Sequence, residues 1–251
     1  MGSDNSNQNL RAVRLSEVDA AARARLIGIY ERTVYGLAFP DAEIREDPAY
    51  WLGLLGADPY PPPPQPRLEV ILLVEGDDVV AGGVTIELYR TANCGLLTYI
   101  SIAADRRGQG LGKRLVAEAR AAIARMAGGP RPIFAETERL DDAHDEAERA
   151  ATILRQTQLA GLGARMVDYD YWMPPLRPGL PAHRLHLMLI DTDQPETVPA
   201  ATVAALMTEL AAALGADLDA HAETRAMMAW LAGETMIPTR PLPAARTRVT
   251  R

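Results

Sequence analysis

The chain has 251 residues, of which 48% are hydrophobic and 24% charged, a composition typical of a folded globular protein. Its formal net charge of −7 argues against general nucleic-acid binding, which needs a basic surface to neutralise phosphates. No run of about 18 apolar residues occurs, so no membrane span is expected. The one cysteine, Cys94, excludes an internal disulfide and favours a cytoplasmic protein.

The predicted elements begin after a polar lead. Residues 1–9 lack the apolar segment of a signal peptide, and we expect them to be disordered. A short strand is predicted at 10–15, followed by a helix with Ser16 as its N-cap and Gly36 at its end. Periodicity and turn residues then predict, in chain order, a short helix at 48–55, strands at 68–74, 79–89 and 95–104, a helix at 112–127, a strand at 132–138, a helix at 141–163, strands at 164–173 and 183–190, and two helices within 199–231.

This alternation of strands and helices indicates a mixed α/β fold with at least one parallel crossover. The Pro- and Arg-rich end, residues 237–251, is expected to be loose.

Three glycines lie where a predicted strand turns into a predicted helix, in the stretch SIAADRRGQGLGKRLV. They are Gly108, Gly110 and Gly112. The N-terminus of a helix carries unpaired N–H groups and partial positive charge, and glycine lets phosphate oxygens approach the backbone closely. Arg106, Arg107 and Lys113 would add positive charge. The stretch therefore favours pyrophosphate or a similar dianion as a ligand.

Two familiar phosphate-binding motifs match this stretch only weakly. A Walker loop needs Ser or Thr after its lysine, but Arg114 follows Lys113. A dinucleotide fingerprint needs G-x-G-x-x-G, whereas the spacing here is G-x-G-x-G.

A third motif, R-x-x-G-x-G, is present as Arg107, Gly110 and Gly112. The segment YISIAADRRGQGLGKRLVAEA resembles the acyl-CoA-binding motif of the GNAT superfamily of acyl-CoA-dependent N-acetyltransferases. The resemblance covers residues 10–190. It implies a GNAT-like α/β fold with a mixed, mostly antiparallel central sheet of about seven strands flanked by helices. Residues 191–251 would then form a C-terminal helical extension and a loose tail.

The resemblance also implies which residues bind the donor. Main-chain groups of Ile100, Ser101 and Ile102 would face the pantetheine arm, and an N–H there could stabilise an oxyanion. The pyrophosphate would be held by the amides of the residues from Arg107 to Lys113, namely Arg107, Gly108, Gln109, Gly110, Leu111, Gly112 and Lys113. The donor would be acetyl-CoA, although another acyl-CoA also fits, and no metal is expected.

Two carboxylates are candidates for the general base that the acceptor amine requires. Glu136 and Glu138 lie on the predicted strand FAETE and share a face with Phe134 by period-two alternation. Glu136, deeper in the strand, is the predicted base. The alternative is a pair of solvated acids at a strand end.

The general acid is harder to assign. Many members of the resembling family carry a tyrosine late in the next helix, but Leu159 occupies that position here. Tyr99, Tyr169 and Tyr171 are alternative candidates, and protonation by water is another. The departure leaves open a non-catalytic acyl-CoA-binding or sensing module.

The acceptor is expected to be a small-molecule amine, with neither nucleic acid nor membrane as a partner. Seven acids between residues 136 and 148 would attract a cationic substrate, or would simply form a solvated helix start. The apolar stripes of the helices within 199–231 would pack on the main domain, form a homodimer contact or cover the acceptor site.

Overall fold

The computed structural model describes residues 9–40, 45–176, 180–190, 193 and 195–243. Residues 1–8 of the expected disordered lead and residues 244–251 of the expected loose tail lie outside this part of the chain. The described residues divide into two compact units. The first is built from the residues up to Pro62, Arg67–Leu88 and Leu97–Pro130, and the second from Pro63–Pro66, Tyr89–Leu96 and the residues from Arg131 onward.

The first unit contains four neighbouring strands in the order β1-β2-β3-β4. The strands are β1 Leu10–Arg14, β2 Arg67–Glu75, β3 Val79–Tyr89 and β4 Cys94–Ile102. The end of β3 and the start of β4 lie in the segment Tyr89–Leu96, which belongs to the second unit. Pairing is antiparallel for β1 with β2 and for β2 with β3. Nearly every residue of β2 and β3 is buried, as expected for strands covered on both faces.

Helices cover both faces of these strands. They are α1 Ala20–Tyr30, which continues through a π-helical turn at Glu31–Tyr35 into α2 Gly36–Ala38, then α3 Pro48–Leu55 and α4 Leu111–Ala127. Leu68, Val70 and Leu72 of β2 share a core with residues of α1 and α3. Side chains alternate along a strand, so the intervening residues of β2 face the other way, and α4 also contacts this strand.

The start of α1 differs from the prediction. Asp19, not Ser16, is the N-cap, and its carboxylate accepts a 2.8 Å hydrogen bond from the Ala22 N–H. Ser16 instead donates from its backbone N–H and its hydroxyl to the buried carboxylate of Glu69, at 3.1 and 2.5 Å. A buried carboxylate needs hydrogen-bond donors. Because Ser16 supplies two of them to Glu69, its hydroxyl does not cap the helix.

The second unit contains the remaining strands and helices. The strands are β5 Ile133–Thr137, β6 Ala164–Val167, β7 Tyr171–Met173, β8 His183–Ile190, β9 Thr197–Pro199 and β10 Met236–Arg240, and the helices are α5 Glu146–Gly161, α6 Ala200–Leu214 and α7 Ala222–Gly233. The strand order is β5-β8-β6-β10-β9, with β7 also paired to β8. These pairs are antiparallel.

The core of this unit joins its strands to the C-terminal helices. Phe134 of β5 and Leu187 of β8 are fully buried in the same cluster as Val203 and Leu206 of α6 and Met227 of α7. The apolar stripes predicted within 199–231 therefore pack against strands of their own unit.

The predicted mixed α/β class with mostly antiparallel strands is confirmed, and the described part of residues 10–190 contains eight strands where about seven are predicted. The predicted strand at 164–173 is divided into β6 and β7, while β9 and β10 come from segments that were not expected to be strands. Residues 237–240 were expected to be loose. They form β10 because Thr239 and Arg240 pair with Val167 and Met166 of β6.

No helix in the described part of the chain is long and apolar enough to cross a membrane.

Candidate functional site

The glycine-rich stretch forms a tight connection between β4 and α4. A short helical turn, Ala104–Arg106, follows β4, and α4 begins after Gly110. Gly108 and Gly110 both have φ of +78°, in the left-handed region that other residues rarely adopt. A Cβ built on either glycine would meet no protein atom within 4 Å. The space beside these two residues is therefore open to a ligand.

The first turn of α4 has no side-chain cap within the described residues. Asp19 and Asp47 accept backbone N–H bonds at the starts of α1 and α3, whereas Gly110 has no side chain to do so. The first helical bonds of α4 run from the N–H groups of Lys113 and Arg114 to the Gly110 carbonyl, at 3.1 and 3.4 Å. Earlier N–H groups of a helix have no partner within it, and an anion can satisfy them. This cradle fits a pyrophosphate.

The three basic side chains near this turn differ in their contacts. Arg106 donates to the Glu75 carboxylate at 2.6 Å, so its charge is compensated within the protein. Arg107 is exposed, and its Nε lies 3.4 Å from the Ile102 carbonyl. Lys113 is also exposed. The expectation that Arg106 adds charge for a ligand is therefore corrected, because Glu75 already binds it.

The end of β4 carries the residues expected to face the pantetheine arm. Ile100 and Ile102 are half-buried, and Ser101 is buried with its hydroxyl 2.8 Å from the Tyr30 hydroxyl. A Cβ on Gly82 of β3 would lie 2.8 Å from the Ser101 carbonyl oxygen. Glycine at this position therefore lets the two strands approach closely and fixes the backbone at Ser101.

Tyr99, a predicted catalytic residue, lies in the aromatic cluster of the first unit. Its ring centroid is 5.1 Å from those of Tyr35 and Phe39 and 5.8 Å from that of Trp51. The Tyr99 hydroxyl accepts a 3.0 Å hydrogen bond from the Glu46 N–H. Burial raises the pKa of Tyr99, with a further contribution from the Glu46 carboxylate. The hydroxyl therefore keeps its proton at neutral pH.

Glu136 lies on β5 of the second unit, in register with Leu187 of β8. Tyr171 of β7 donates a hydrogen bond from its hydroxyl to the Glu136 carboxylate. Burial raises the pKa of Glu136 to about 7, even though the bond from Tyr171 acts to lower it. Near neutral pH this carboxyl group can both accept and release a proton.

Glu138 has a different environment from Glu136. Strand β5 ends at Thr137, so the alternation that would align the two acids does not extend to Glu138. Its exposed carboxylate forms an ion pair with Arg155 of α5. The two acids that the sequence groups together thus have separate partners.

Leu159, at the position expected for a catalytic tyrosine, is buried on α5. Tyr169 and Tyr171 lie with ring centroids 5.9 Å apart. The pKa of each hydroxyl is raised by burial and then by the nearby Glu136 carboxylate. The sequence names both tyrosines but not their link to Glu136. No local signal indicates this link, because Glu136 lies on β5 and Tyr169 lies in the segment between β6 and β7.

The described residues include no group of three or more His, Cys, Asp or Glu side chains that could hold a metal ion.

Comparison with protein families matches residues 33–149 to the acetyltransferase (GNAT) family. A search of curated proteins finds no match.

Solved structures give three examples of similarity. A GNAT-family protein from Bacteroides thetaiotaomicron has a TM-score of 0.47 at 18% identity, with 73% of this chain and 90% of that chain covered. The yncA protein of Salmonella typhimurium, solved with its cofactor acetyl-CoA, has a TM-score of 0.43 at 18% identity, covering 74% and 96%. An aminoglycoside acetyltransferase from an uncultured soil metagenomic sample, in complex with sisomicin, has a TM-score of 0.41 at 16% identity, covering 66% and 97%.

Proposed function

Because residues 33–149 match the acetyltransferase (GNAT) family, we propose that the chain belongs to this family and moves an acetyl group from acetyl-CoA to a primary amine of a small molecule. The amine nitrogen attacks the thioester carbonyl carbon in a complex of enzyme and both substrates. The carbon–sulfur bond then breaks, the amide forms, and CoA leaves as a thiolate that takes up a proton.

The observation that carries this proposal is the uncapped start of α4 beside two left-handed glycines. In the proposal, the amides from Arg107 to Lys113 hold the donor pyrophosphate. Main-chain groups of Ile100, Ser101 and Ile102 accompany the pantetheine arm and stabilise the oxyanion. The open space beside Gly108 and Gly110 supports this assignment, because a phosphate oxygen needs room close to the backbone.

Glu136 is the proposed general base. Its raised pKa of about 7 supports this role, since a base works best when its pKa lies near the working pH. The ion pair between Glu138 and Arg155 favours Glu136 over Glu138. Tyr99 stays a predicted general acid, and its protonated hydroxyl is consistent with that role.

A second candidate function is a non-catalytic acyl-CoA-binding module, which the leucine at position 159 favours. A cytoplasmic location and a homodimer also stay predictions.

Two measurements test the proposal. Isothermal titration with acetyl-CoA should show binding, and the absence of binding at millimolar ligand would contradict a CoA-dependent function. A thiol-release assay over a panel of primary amines, with mass spectrometry of the products, should then show acetylation. Binding of acetyl-CoA without release for any amine would favour the non-catalytic module.

A further inference from the structure

A cavity of about 600 Å³ lies in the second unit, between the β6–β7 segment and α7. Its lining includes Tyr169, Asp170, Trp172, Glu223, Met227 and Trp230. We call it the α7 pocket. Every one of these residues lies outside the segment 33–149 that matches the acetyltransferase family. The α7 pocket is therefore a feature that the family match does not account for.

Aromatic rings form two sides of the α7 pocket. Tyr169 and Trp230 stack with centroids 5.7 Å apart and planes 10° apart. Trp172 is held in place because its Nε1 donates to Asp170 at 3.1 Å and its backbone N–H points at the Met227 sulfur at 3.3 Å. Trp230 is 41% exposed, a large apolar surface to leave in water. A ligand in the pocket would cover part of it.

The charges around the α7 pocket are negative. Asp170 and Glu223 contribute carboxylates, and no Lys, Arg or His is part of the lining. Asp170 also accepts a 2.8 Å hydrogen bond from the Arg184 Nε and lies 3.8 Å from a guanidinium nitrogen of Arg139, so its charge is compensated within the protein. Glu223 is exposed in the first turn of α7 and has no ion-pair partner among the described residues. Glu223 therefore supplies the uncompensated charge of the lining, and this charge favours a cation over an anion.

We propose that the α7 pocket binds an organic ammonium ion, with its positive charge against the exposed surface of the Trp230 ring and near the Glu223 carboxylate. Aromatic faces carry negative electrostatic potential and attract ammonium groups, and a desolvated site strengthens that attraction. The apolar floor at Met227 accommodates the hydrocarbon part of the same ligand.

This inference does not require acyl transfer, so it can be tested with a probe that cannot react. Benzyltrimethylammonium has no N–H and cannot be acetylated. The alcohol 2-methyl-1-phenylpropan-2-ol is a neutral compound of similar shape, in which carbon replaces the nitrogen and a hydroxyl replaces one methyl group. Titration calorimetry, with tryptophan fluorescence as a second signal, should show that the cation binds and that the alcohol binds at least about 5-fold more weakly. Equal affinities for the two probes, or no binding of the cation, would overturn the proposal.

Variants of two lining residues locate the binding. W230L removes the aromatic face while keeping an apolar side chain, and should weaken binding of the cation about 5- to 30-fold, whereas W230F should retain most of it. E223Q should weaken binding about 2- to 10-fold, because it removes a charge near the ligand. E234Q is the matched control, since Glu234 is the C-cap of the same helix and is not part of the pocket lining.

Unchanged affinity in both W230L and E223Q would place the cation elsewhere and overturn the proposal. E223Q also covers the case in which W230L fails to fold, since Glu223 is exposed.

A final measurement distinguishes two sources of the ammonium ion. Competitive inhibition of amine acetylation by benzyltrimethylammonium, weakened in W230L in parallel with binding of the cation, would identify the α7 pocket as the binding site of the acceptor amine. A cation that binds without competing would identify the pocket as a site for a separate ligand. Both results support the site, and neither depends on which amine is acetylated.

Discussion

Glu136 is a carboxyl group whose surroundings favour its neutral form. Burial raises its pKa from an ordinary value of 4.5 to about 7, and Tyr171 donates to it from a neighbouring strand. The folded protein therefore holds this proton more tightly than the unfolded chain does. Such a group stabilises the fold at pH below about 4.5, and this contribution is lost as the pH rises through about 7.

The free energy of unfolding should show this loss. We expect the difference in stability between the wild type and E136Q to fall by about 1–3 kcal/mol from pH 4.5 to pH 8. Urea unfolding of both proteins at several pH values measures it. Comparing the two proteins cancels the other titrating groups, including His186, whose pKa burial and Arg139 lower to about 4. A difference that does not change with pH would contradict the raised pKa.

The same titration should control acyl transfer if Glu136 is the base. The rate of thiol release should rise as the pH increases through about 7, because only the carboxylate accepts a proton. E136Q should lower the rate about 10²- to 10⁴-fold. E138Q, which removes only the ion pair with Arg155, should retain most of the rate. A larger loss in E138Q than in E136Q would transfer the role of base to Glu138.

At the scale of elements, α4 offers a matched pair of glycines at its two ends. Gly110 precedes its first turn with φ of +78°, and Gly128 follows its last turn with φ of +70°. A Cβ on either residue meets no protein atom within 4 Å. The two sites thus carry similar backbone strain on substitution, but only Gly110 lies at the proposed pyrophosphate seat.

Alanine substitutions of these glycines should separate stability from binding. We expect G110A and G128A each to lower the free energy of unfolding by about 1–2 kcal/mol. Only G110A should weaken acetyl-CoA binding, by about 10-fold or more, because its added methyl group keeps a phosphate oxygen from approaching the backbone, and one charge-assisted hydrogen bond is worth about 1.5–3 kcal/mol. Thermal unfolding and calorimetry on both variants measure the two effects. Equal losses of affinity would argue against a seat at the start of α4.

A buried side chain of helix α6, Glu209, forms hydrogen bonds with the β3–β4 connection. Glu209 accepts hydrogen bonds from the backbone N–H groups of Thr91 and Ala92, both at 2.8 Å. We expect E209A to lower the free energy of unfolding by about 1–3 kcal/mol, because the buried Ala92 N–H loses its acceptor. E209Q keeps an acceptor oxygen and should lose less. Urea unfolding checks this, and a loss below about 0.5 kcal/mol in E209A would show that water replaces the carboxylate.

Elements with a local signal are predictable from the sequence, and elements that depend on distant partners are not. Strands β2 and β3 match the prediction within one residue, because long apolar runs flank a turn rich in Gly and Asp. Strand β10 contains Pro238, which argues against a strand. It forms because β6 lies some 70 residues earlier in the chain, and Arg165 of β6 donates to the Thr239 hydroxyl and carbonyl, both at 2.9 Å.

The candidate sites follow the same rule. The glycine turn is predictable because the strand, the motif and the helix are contiguous. The partner of Glu136 is Tyr171, 35 residues later, and the partner of Arg106 is Glu75, 31 residues earlier. The α7 pocket joins residues from Tyr169 to Trp230, and no local pattern indicates that they meet.

At the scale of the whole molecule, the one thiol reports on unfolding. Cys94 is fully buried in the core of the second unit, and burial, with the Glu209 carboxylate adding to it, raises its pKa to about 12. A disulfide reagent reacts with the thiolate and needs access to it. We therefore expect one thiol per chain to react rapidly in denaturant and to react in the native protein only as fast as the core opens. Rapid native labelling would contradict this burial.

The cradle at the start of α4 also bears on how this protein tolerates mutation. Its proposed binding groups are backbone amides, which every residue except proline supplies, so exchange of Gln109 or Lys113 for another residue leaves the donors in place. Only the left-handed backbone at Gly108 and Gly110 ties the cradle to particular residue types. In this proposal, recognition of the donor depends on few positions. The shape and charge of a pocket lined by side chains, such as the α7 pocket, change with each substitution of a lining residue. Under the two proposals together, substitutions in the α7 pocket would change its ligand while the cradle keeps the same donor.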